Sequence, residues 1–462
     1  MHDLVIRDAL LLDGLRSPAR LGSLAVSDGI ISSVGSVEGP ARKTIDAEGL
    51  ALMPGIIDNH THYDAQITWD PAVSPSPALG VTTAVIGNCG FTIAPCRPAD
   101  RERVMANLTQ VEGMSLEALR AGIRWEFESV PQYLDMLERR GAAVNVAAFV
   151  GHSSVRTYVM GEAATQRVAT DEEISLMRSI VLEGMKAGAV GFSTSTSPAH
   201  NGDGGLPMPS RLADEKELRA LVGCLKEAGR GVFMLTKGGQ TKVGFLEELA
   251  AESTRPVVIA ALLHSSTNPD AVFKDLEQIR SATARGRRLV GAVSCCPLSM
   301  DFTLRSPYVL EGLESWQPAL PLKGDAFRNK LKERAFRDEV RRELSRPAHF
   351  RIFNGEWEKV EVIESGRKAL EQKSIAALAR EAGKDPLDFM LDLALEEDLG
   401  TVFNALLLNS DEQAVGRMLR DPSAMVSLSD AGAHLTFFND AGFGLHLLGH
   451  WVRERKLFSL EE

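Results

Sequence analysis

Two histidines one residue apart, His60 and His62, follow a short apolar segment that begins at Pro54. In a β-strand, residues i and i+2 point to the same face, so the two imidazoles would project together from the end of a strand. Two imidazoles that converge in this way suit a divalent metal ion. A short histidine pair also arises by chance, and a buried histidine is more often a core residue, so the pair has to be judged by its surroundings.

The surroundings favour a metal site. Residues 51–57 read as a turn followed by a buried apolar strand, which places the histidines at the C-terminal end of that strand. Cys89, His264 and Asp430 also stand at or just after the ends of predicted strands. Imidazole, thiolate and carboxylate together make an ordinary zinc environment. For Cys89 taken alone, an inert buried thiol is the simpler interpretation.

From about residue 51 onward, apolar strands alternate with amphipathic helices, a pattern that predicts a parallel sheet. With the strand that ends at His60 there are eight predicted strands, as in a (β/α)8 TIM-like barrel, whose active site lies at the C-terminal ends of the strands. The other seven predicted strands are 81–87, 144–150, 189–193, 231–236, 257–263, 289–294 and 425–428. The predicted helices include 171–187, 214–228 and 374–382.

Two regions stand apart from this alternation. Residues 1–50 contain short β-prone segments and Asp-Gly pairs at 13–14 and 28–29, which predict a small antiparallel unit ahead of a barrel that occupies residues 51–462. Residues 301–350 contain several prolines and a charged helical segment and fit no strand–helix unit. They predict a lid or insertion over the mouth of the barrel, with a solvated surface excursion as the alternative.

Composition excludes several kinds of partner. With 51 basic and 62 acidic residues, a net charge of −11 and no basic cluster, the chain is not expected to bind nucleic acid. The N-terminus does not read as a signal peptide, and no apolar segment approaches a membrane span, so no membrane partner is expected. Among five cysteines, the adjacent Cys295 and Cys296 suggest reduced thiols and hence a cytoplasmic protein.

The candidate ligands predict a reaction type. A metal ion lowers the pKa of water and polarises the carbonyl of an amide. A carboxylate such as Asp430 can then take a proton from that water and deliver it to the leaving nitrogen. The set therefore predicts metal-assisted hydrolysis of a small amide substrate.

Five segments carry a resemblance that covers most of the chain, namely residues 54–66, 80–90, 150–156, 188–195 and 429–434. In combination they resemble the amidohydrolase superfamily, and within it the N-acyl-D-amino-acid deacylase (D-aminoacylase) group. The resemblance implies a metal-dependent (β/α)8 barrel with a small β-sandwich, to which residues 1–50 contribute. Superfamily members usually continue past the residue that matches Glu462 with strands that complete this sandwich. We therefore expect a missing complement, or a partner strand supplied by a homo-oligomer.

The resemblance also implies roles for individual residues. Zinc ligands of the family match His60, His62, Cys89, His264 and Asp430, and the matching aspartate is also the acid and base. Family positions near the substrate match His152 and Arg156, for which a capping or core role is the alternative, and His434 is a further candidate for substrate binding.

Departures from the family bear on the metal and the substrate. The family has a metal-binding histidine at the end of the fifth strand, and in this chain Thr236 takes the place of that histidine or lies beside it. One zinc ion is therefore expected rather than two, unless a carbamylated Lys237 replaces the missing ligand. A lysine that holds the substrate carboxylate in D-aminoacylases is absent after His264, and a tyrosine-containing turn is absent from residues 294–300. Specificity for a free D-amino acid carboxylate is therefore in doubt.

The expected activity is the deacylation of an N-acyl (D-)amino acid or a related amide. A cyclic amide or imide hydrolase is one alternative, although residues 191–195 offer no lysine of the kind that those enzymes carbamylate at the end of the fourth strand. A catalytically impaired metal-binding homologue is the other. The presence of Asp430 argues against it, because a scaffold has no need of a carboxylate that faces the metal.

Overall fold

The computed structural model of the chain describes residues 1–346, 351–433 and 440–462. These residues form three sheets. The N-terminal sheet contains β1 His2–Leu11, β2 Arg20–Ser27, β3 Ile30–Gly35, β4 Ala41–Asp46 and β5 Ala51–Leu52. The central sheet contains β6 Ile56–Asp58, β7 Val81–Ile86, β8 Asn145–Gly151, β9 Gly191–Ser195, β10 Val232–Thr236, β11 Val257–Leu262, β12 Leu289–Val293 and β16 Ala424–Val426. The third sheet contains β13 Leu298–Phe302, β14 Val360–Glu364 and β15 Val402–Leu408.

The helices fall mainly between the strands of the central sheet and in the region around the third sheet. They are α1 Arg101–Glu112, α2 Leu116–Gly122, α3 Val130–Arg140, α4 His152–Met160, α5 Asp171–Ala187, α6 Glu215–Glu227, α7 Val243–Ser253, α8 Ala271–Ala284, α9 Tyr308–Glu311, α10 Gly324–Lys332, α11 Arg334–Leu344, α12 Ile375–Glu381, α13 Pro386–Glu396, α14 Glu412–Leu419 and α15 Phe443–His446, followed by a π-helical segment, Leu447–Glu454. In the described part of the chain, no helix is both long and apolar enough to cross a membrane.

The eight strands of the central sheet follow one another in chain order and run parallel. All eight coincide with predicted strands, so the predicted alternation is confirmed. Beyond the strands the two ends of the sheet meet, because Thr61 pairs in parallel with Ala431. The sheet is therefore curled, with its first and last strands joined at the C-terminal end, as in a TIM-like barrel.

Side chains on β10 show how the strands divide the core. Phe233 and Leu235 pack in the cluster formed with the surrounding helices, whereas Met234 belongs to a second cluster inside the curled sheet. Small residues such as Ala84 and Ala260 also face this interior. The alternation follows from the two-residue period of a strand, and it also decides which residues at the strand ends face the interior.

The N-terminal sheet is mixed rather than antiparallel, which corrects the expectation. β1 pairs antiparallel with β2 but parallel with β4 and β5, because the chain crosses over after β3. The hairpin at 28–29 is confirmed: Asp28 and Gly29 both have positive φ, 51° and 75°, as a two-residue type I′ loop requires. The pair at 13–14 lies instead in a longer connection between β1 and β2. The described residues supply one layer here, so the sandwich is not confirmed.

Between β12 and β16 the chain leaves the central sheet and forms a unit with its own core. This unit extends from about residue 298 to 408, well past the predicted insertion at 301–350, and it contains β13 to β15 and α9 to α13. Buried aromatic residues such as Trp316, Phe336 and Phe403 fill its core. The predicted role of this region as a lid stays a prediction.

Two glycines differ in the space around them. A Cβ on Gly191 at the start of β9 would lie 1.9 Å from the backbone oxygen of Val232, whereas a Cβ on Gly223 in α6 would meet only the end of Arg178 at 3.8 Å. We expect Gly191→Ala to lower the free energy of unfolding by about 1–3 kcal/mol through overpacking. Gly223→Ala should raise it by about 0.5–1 kcal/mol through helix propensity. Urea unfolding of both variants measures the difference, and equal midpoints would contradict this packing.

Candidate metal centre

The segment that directly follows β6 carries both histidines into the structure. The backbone N–H of Asp430 donates to the carbonyl of His60 at 3.1 Å, and the N–H of His62 donates to the carbonyl of Ala431 at 2.8 Å. These two bonds hold the segment beside the chain that follows β16. His60 and His62 are each 3% exposed. Their imidazoles therefore face the interior at the C-terminal end of the sheet, as the spacing predicts.

Cys89 reaches the same place from the turn after β7. Its backbone has a φ of 56°, between Gly87 and Gly90, which also have positive φ, so the turn bends sharply inward. Its Sγ lies 3.5 Å from Nε2 of His60 and 3.1 Å from Oγ1 of Thr236. Burial raises the pKa of the Cys89 thiol, and an adjacent cation would be needed to favour the thiolate.

The donor atoms fit a single metal ion. The ligand atoms of His60, His62 and Cys89 all lie within 4.8 Å of one another. Oδ1 of Asp430 lies 3.2 Å from Nε2 of His60 and 3.5 Å from Nε2 of His62. Tetrahedral zinc, with ligands at about 2.0–2.3 Å, separates its donor atoms by roughly 3.3–3.8 Å. Two imidazoles and a thiol at these separations, with a carboxylate beside both rings, are suited to zinc.

The electrostatics of the cluster also favour a cation. Burial lowers the pKa of His60 to about 4. For His62 burial acts in the same direction, but the nearby Glu112 and Asp430 hold its pKa well above the usual value. Burial raises the pKa of Glu112 to about 8 and that of Asp64 to about 6. Several acids around the cluster are thus costly to ionise unless positive charge lies among them.

A cavity opens beside the cluster, and it includes two polar residues that sequence reasoning missed. It is lined by His60, His62, Cys89, Val111, Glu112, His200, Thr236, Ala261, Leu428 and Asp430. Glu112 ends α1, and His200 lies in the loop after β9, where its Nδ1 is 2.7 Å from Oγ of Ser195. Neither residue belongs to a motif with characteristic spacing. Their approach to the cluster is a product of the loops that follow β7 and β9.

The structure does not bring His264 to the cluster. His264 follows the end of β11, and its ring lies 6.3 Å from that of Phe273 on α8. Its backbone N–H donates to Oδ1 of Asn409 at 2.7 Å. The ligand role implied by the resemblance is therefore not supported by this geometry.

Lys237 is likewise turned away from the cavity. Thr236 shares the inward face of Met234 and lines the cavity, so the next residue faces outward. Nζ of Lys237 lies 3.0 Å from Oδ2 of Asp275 on α8. An amine paired with this carboxylate does not supply a carbamate to the cluster, so the geometry gives no support to Lys237 as a replacement ligand.

His152 and Arg156 belong to a buried network rather than to the cavity. Nε2 of His152 lies 2.7 Å from Oε1 of Glu217 on α6, and Nδ1 lies 2.7 Å from Oγ1 of Thr194. The guanidinium of Arg156 donates to the same Glu217 carboxylate. His152 and Arg156 are fully buried, and neither lines the cavity. The core role is therefore the one that the structure favours. The remaining candidate, His434, lies outside the described residues.

Metal content tests the composition of the cluster. We expect the chain purified without added metal to contain about one zinc ion, and His60→Ala and Cys89→Ala to lose most of it, because each removes a donor from the cluster. His264→Ala is the matched control, a histidine at another strand end that should leave zinc content unchanged. Elemental analysis of the folded variants measures this. Loss of zinc in His264→Ala would show that His264 is a ligand of the ion and would contradict this assignment.

Comparison with known proteins identifies the family to which the chain belongs. The sequence model of the amidohydrolase family matches residues 43–294, more than half of the chain. An uncharacterized protein of Mycobacterium tuberculosis is 28% identical over 97% of this chain and 76% of its own length. The D-aminoacylase of Alcaligenes xylosoxydans xylosoxydans is 35% identical over 56% of this chain, and the match spans half of that enzyme.

A solved structure shares the fold. The N-acyl-D-glutamate deacylase of Bordetella bronchiseptica, complexed with zinc and a phosphonate inhibitor, is 22% identical and superimposes with a TM-score of 0.65 over 100% of this chain and 83% of its own. The resemblance inferred from the sequence is thereby confirmed, and the chain belongs to the amidohydrolase family.

Proposed function

We propose that this chain is a zinc-dependent amide hydrolase that removes the acyl group from an N-acyl-D-amino acid or a related linear amide. The observation that carries the proposal is the convergence of His60, His62, Cys89 and Asp430 on one cavity, with donor separations of 3.2–3.5 Å where contacts are closest. The D-aminoacylase relative supports the choice of a D-amino acid derivative.

Two imidazoles and a thiolate would hold the zinc ion, with Asp430 beside it. Such an ion would supply Lewis acidity at the amide carbonyl and make water easier to deprotonate. Thr236 stands where the family has a further histidine, and Lys237 is paired with Asp275. We therefore propose a single ion, because the described donor atoms around the cavity suffice for one metal site.

Asp430 is the residue that we assign to proton transfer. Its side chain is 18% exposed, whereas those of His60 and His62 are almost completely buried, so a substrate in the cavity can reach the carboxylate. Asp430 takes one proton from the attacking water and delivers it to the amide nitrogen as the C–N bond breaks. The carboxylate is thereby regenerated, and the products are a carboxylic acid and an amine.

The lining of the cavity bears on which amine the substrate carries. Among the described residues that line the cavity, none is lysine or arginine, so the lining offers no fixed positive charge to a substrate carboxylate. Hydrolysis of N-acetyl-D-leucine, its L enantiomer and its carboxamide, measured side by side, distinguishes an amino acid deacylase from a hydrolase of neutral amides. Turnover of a hydantoin but of none of these linear amides would overturn the proposal.

Replacement of the proton-transfer residue provides the direct test. We expect Asp430→Asn to lower kcat by about 10²–10⁴-fold, since general acid–base catalysis contributes on that order. Zinc content should remain near the wild-type value, because His60, His62 and Cys89 are unchanged. Asp275→Asn is the control, a carboxylate outside the cavity whose loss should leave kcat unchanged. Full activity of Asp430→Asn would contradict the assignment.

A further inference from the structure

Glu112 is a carboxylate in an unfavourable place. It is the last residue of α1, directly before Gly113, whose φ of 61° ends the helix, and it is 2% exposed. The C-terminal end of a helix carries partial negative charge, so a carboxylate there is disfavoured, and burial adds to the cost. The stability of α1 therefore does not explain why a glutamate stands at this position.

The contact of Glu112 with His62 is specific to one ring nitrogen. Oε1 of Glu112 lies 3.2 Å from Nδ1 of His62, while Nε2 of the same ring lies 3.5 Å from Oδ1 of Asp430. The two nitrogens of His62 thus face two different carboxylates. With the proton of the neutral ring on Nδ1, beside Glu112, the lone pair of Nε2 points to the cluster, which is the tautomer that binds a metal.

We propose that Glu112 is a positioning residue of the metal centre, which fixes the ring orientation and tautomer of His62 so that Nε2 binds the metal. The inference rests on the metal site of the proposed function. A carboxylate behind a histidine also makes the imidazole a stronger donor. A stronger donor matters at this site, because Thr236 lines the cavity where a further ligand is expected.

A second buried pair in the same protein offers a matched control. Glu217 lies 2.7 Å from Nε2 of His152 and is equally inaccessible, but this pair also includes Arg156 and does not line the cavity. Loss of the Glu217 charge breaks a buried ion pair, which should lower the midpoint of urea unfolding. It should leave the metal centre intact.

The experiment measures zinc binding rather than turnover. Zinc affinity is obtained by competition with a chromophoric chelator for the wild type, Glu112→Gln, Glu112→Ala and Glu217→Gln, each checked for folding by circular dichroism. We expect Glu112→Ala to weaken zinc binding by about 10–100-fold. Glu112→Gln should weaken it less, because an amide oxygen can still face Nδ1 of His62. The absorption bands of the cobalt-substituted protein should shift in both variants and not in Glu217→Gln.

The outcomes separate this inference from the proposed function. If the wild type binds zinc and both Glu112 variants bind it equally well with unchanged cobalt bands, Glu112 does not position His62. An equal loss of affinity in Glu217→Gln would also overturn the inference, because the effect would then follow from any buried charge. If Glu112→Ala does not fold, Glu112→Gln decides. Failure of the wild type to bind zinc would instead refute the proposed function.

Discussion

Two backbone hydrogen bonds join the ends of the central sheet, and the site depends on them. They link His60 to Asp430 and His62 to Ala431, residues about 370 positions apart in the chain. Since the bonds fix the register, they bring the two imidazoles opposite the Asp430 carboxylate. Gly432 permits this close approach: its φ is 91°, and a Cβ there would lie 2.8 Å from the backbone of His62. The contacts that close the sheet therefore also bring the donor atoms together.

The charge around this junction explains why a cation belongs there. Burial raises the pKa of Asp58 to about 7, and Asp64 and Glu112 are shifted upward for the same reason. These acids surround a pair of histidines and a thiol rather than lysine or arginine side chains. A divalent ion would offset the cost of ionised carboxylates that the fold has removed from water. In the metal-free protein, the burial of these carboxylates does not contribute to stability.

Sequence reasoning was reliable where the period of a strand decides the outcome. The spacing of His60 and His62 required only that both follow one strand, and that condition is met. The same reasoning, applied further, would have excluded Lys237, because Thr236 takes the inward face and adjacent residues of a strand alternate. For His264 the period is broken, because the pairing of β11 with β12 shifts between Ile259 and Leu262, so alternation counted from Val257 no longer predicts the faces of the residues that follow.

The sequence by itself determined the eight strands, because hydrophobic periodicity is local, and it offered His60, His62, Cys89 and Asp430 as candidate donors at strand ends. Tertiary structure alone decided that Glu112 meets His62, that Glu217 draws His152 into the core, and that residues around Trp316 form a separate unit. These contacts join segments far apart in the chain. They depend on how helices pack on the sheet, which no short-range sequence pattern predicts.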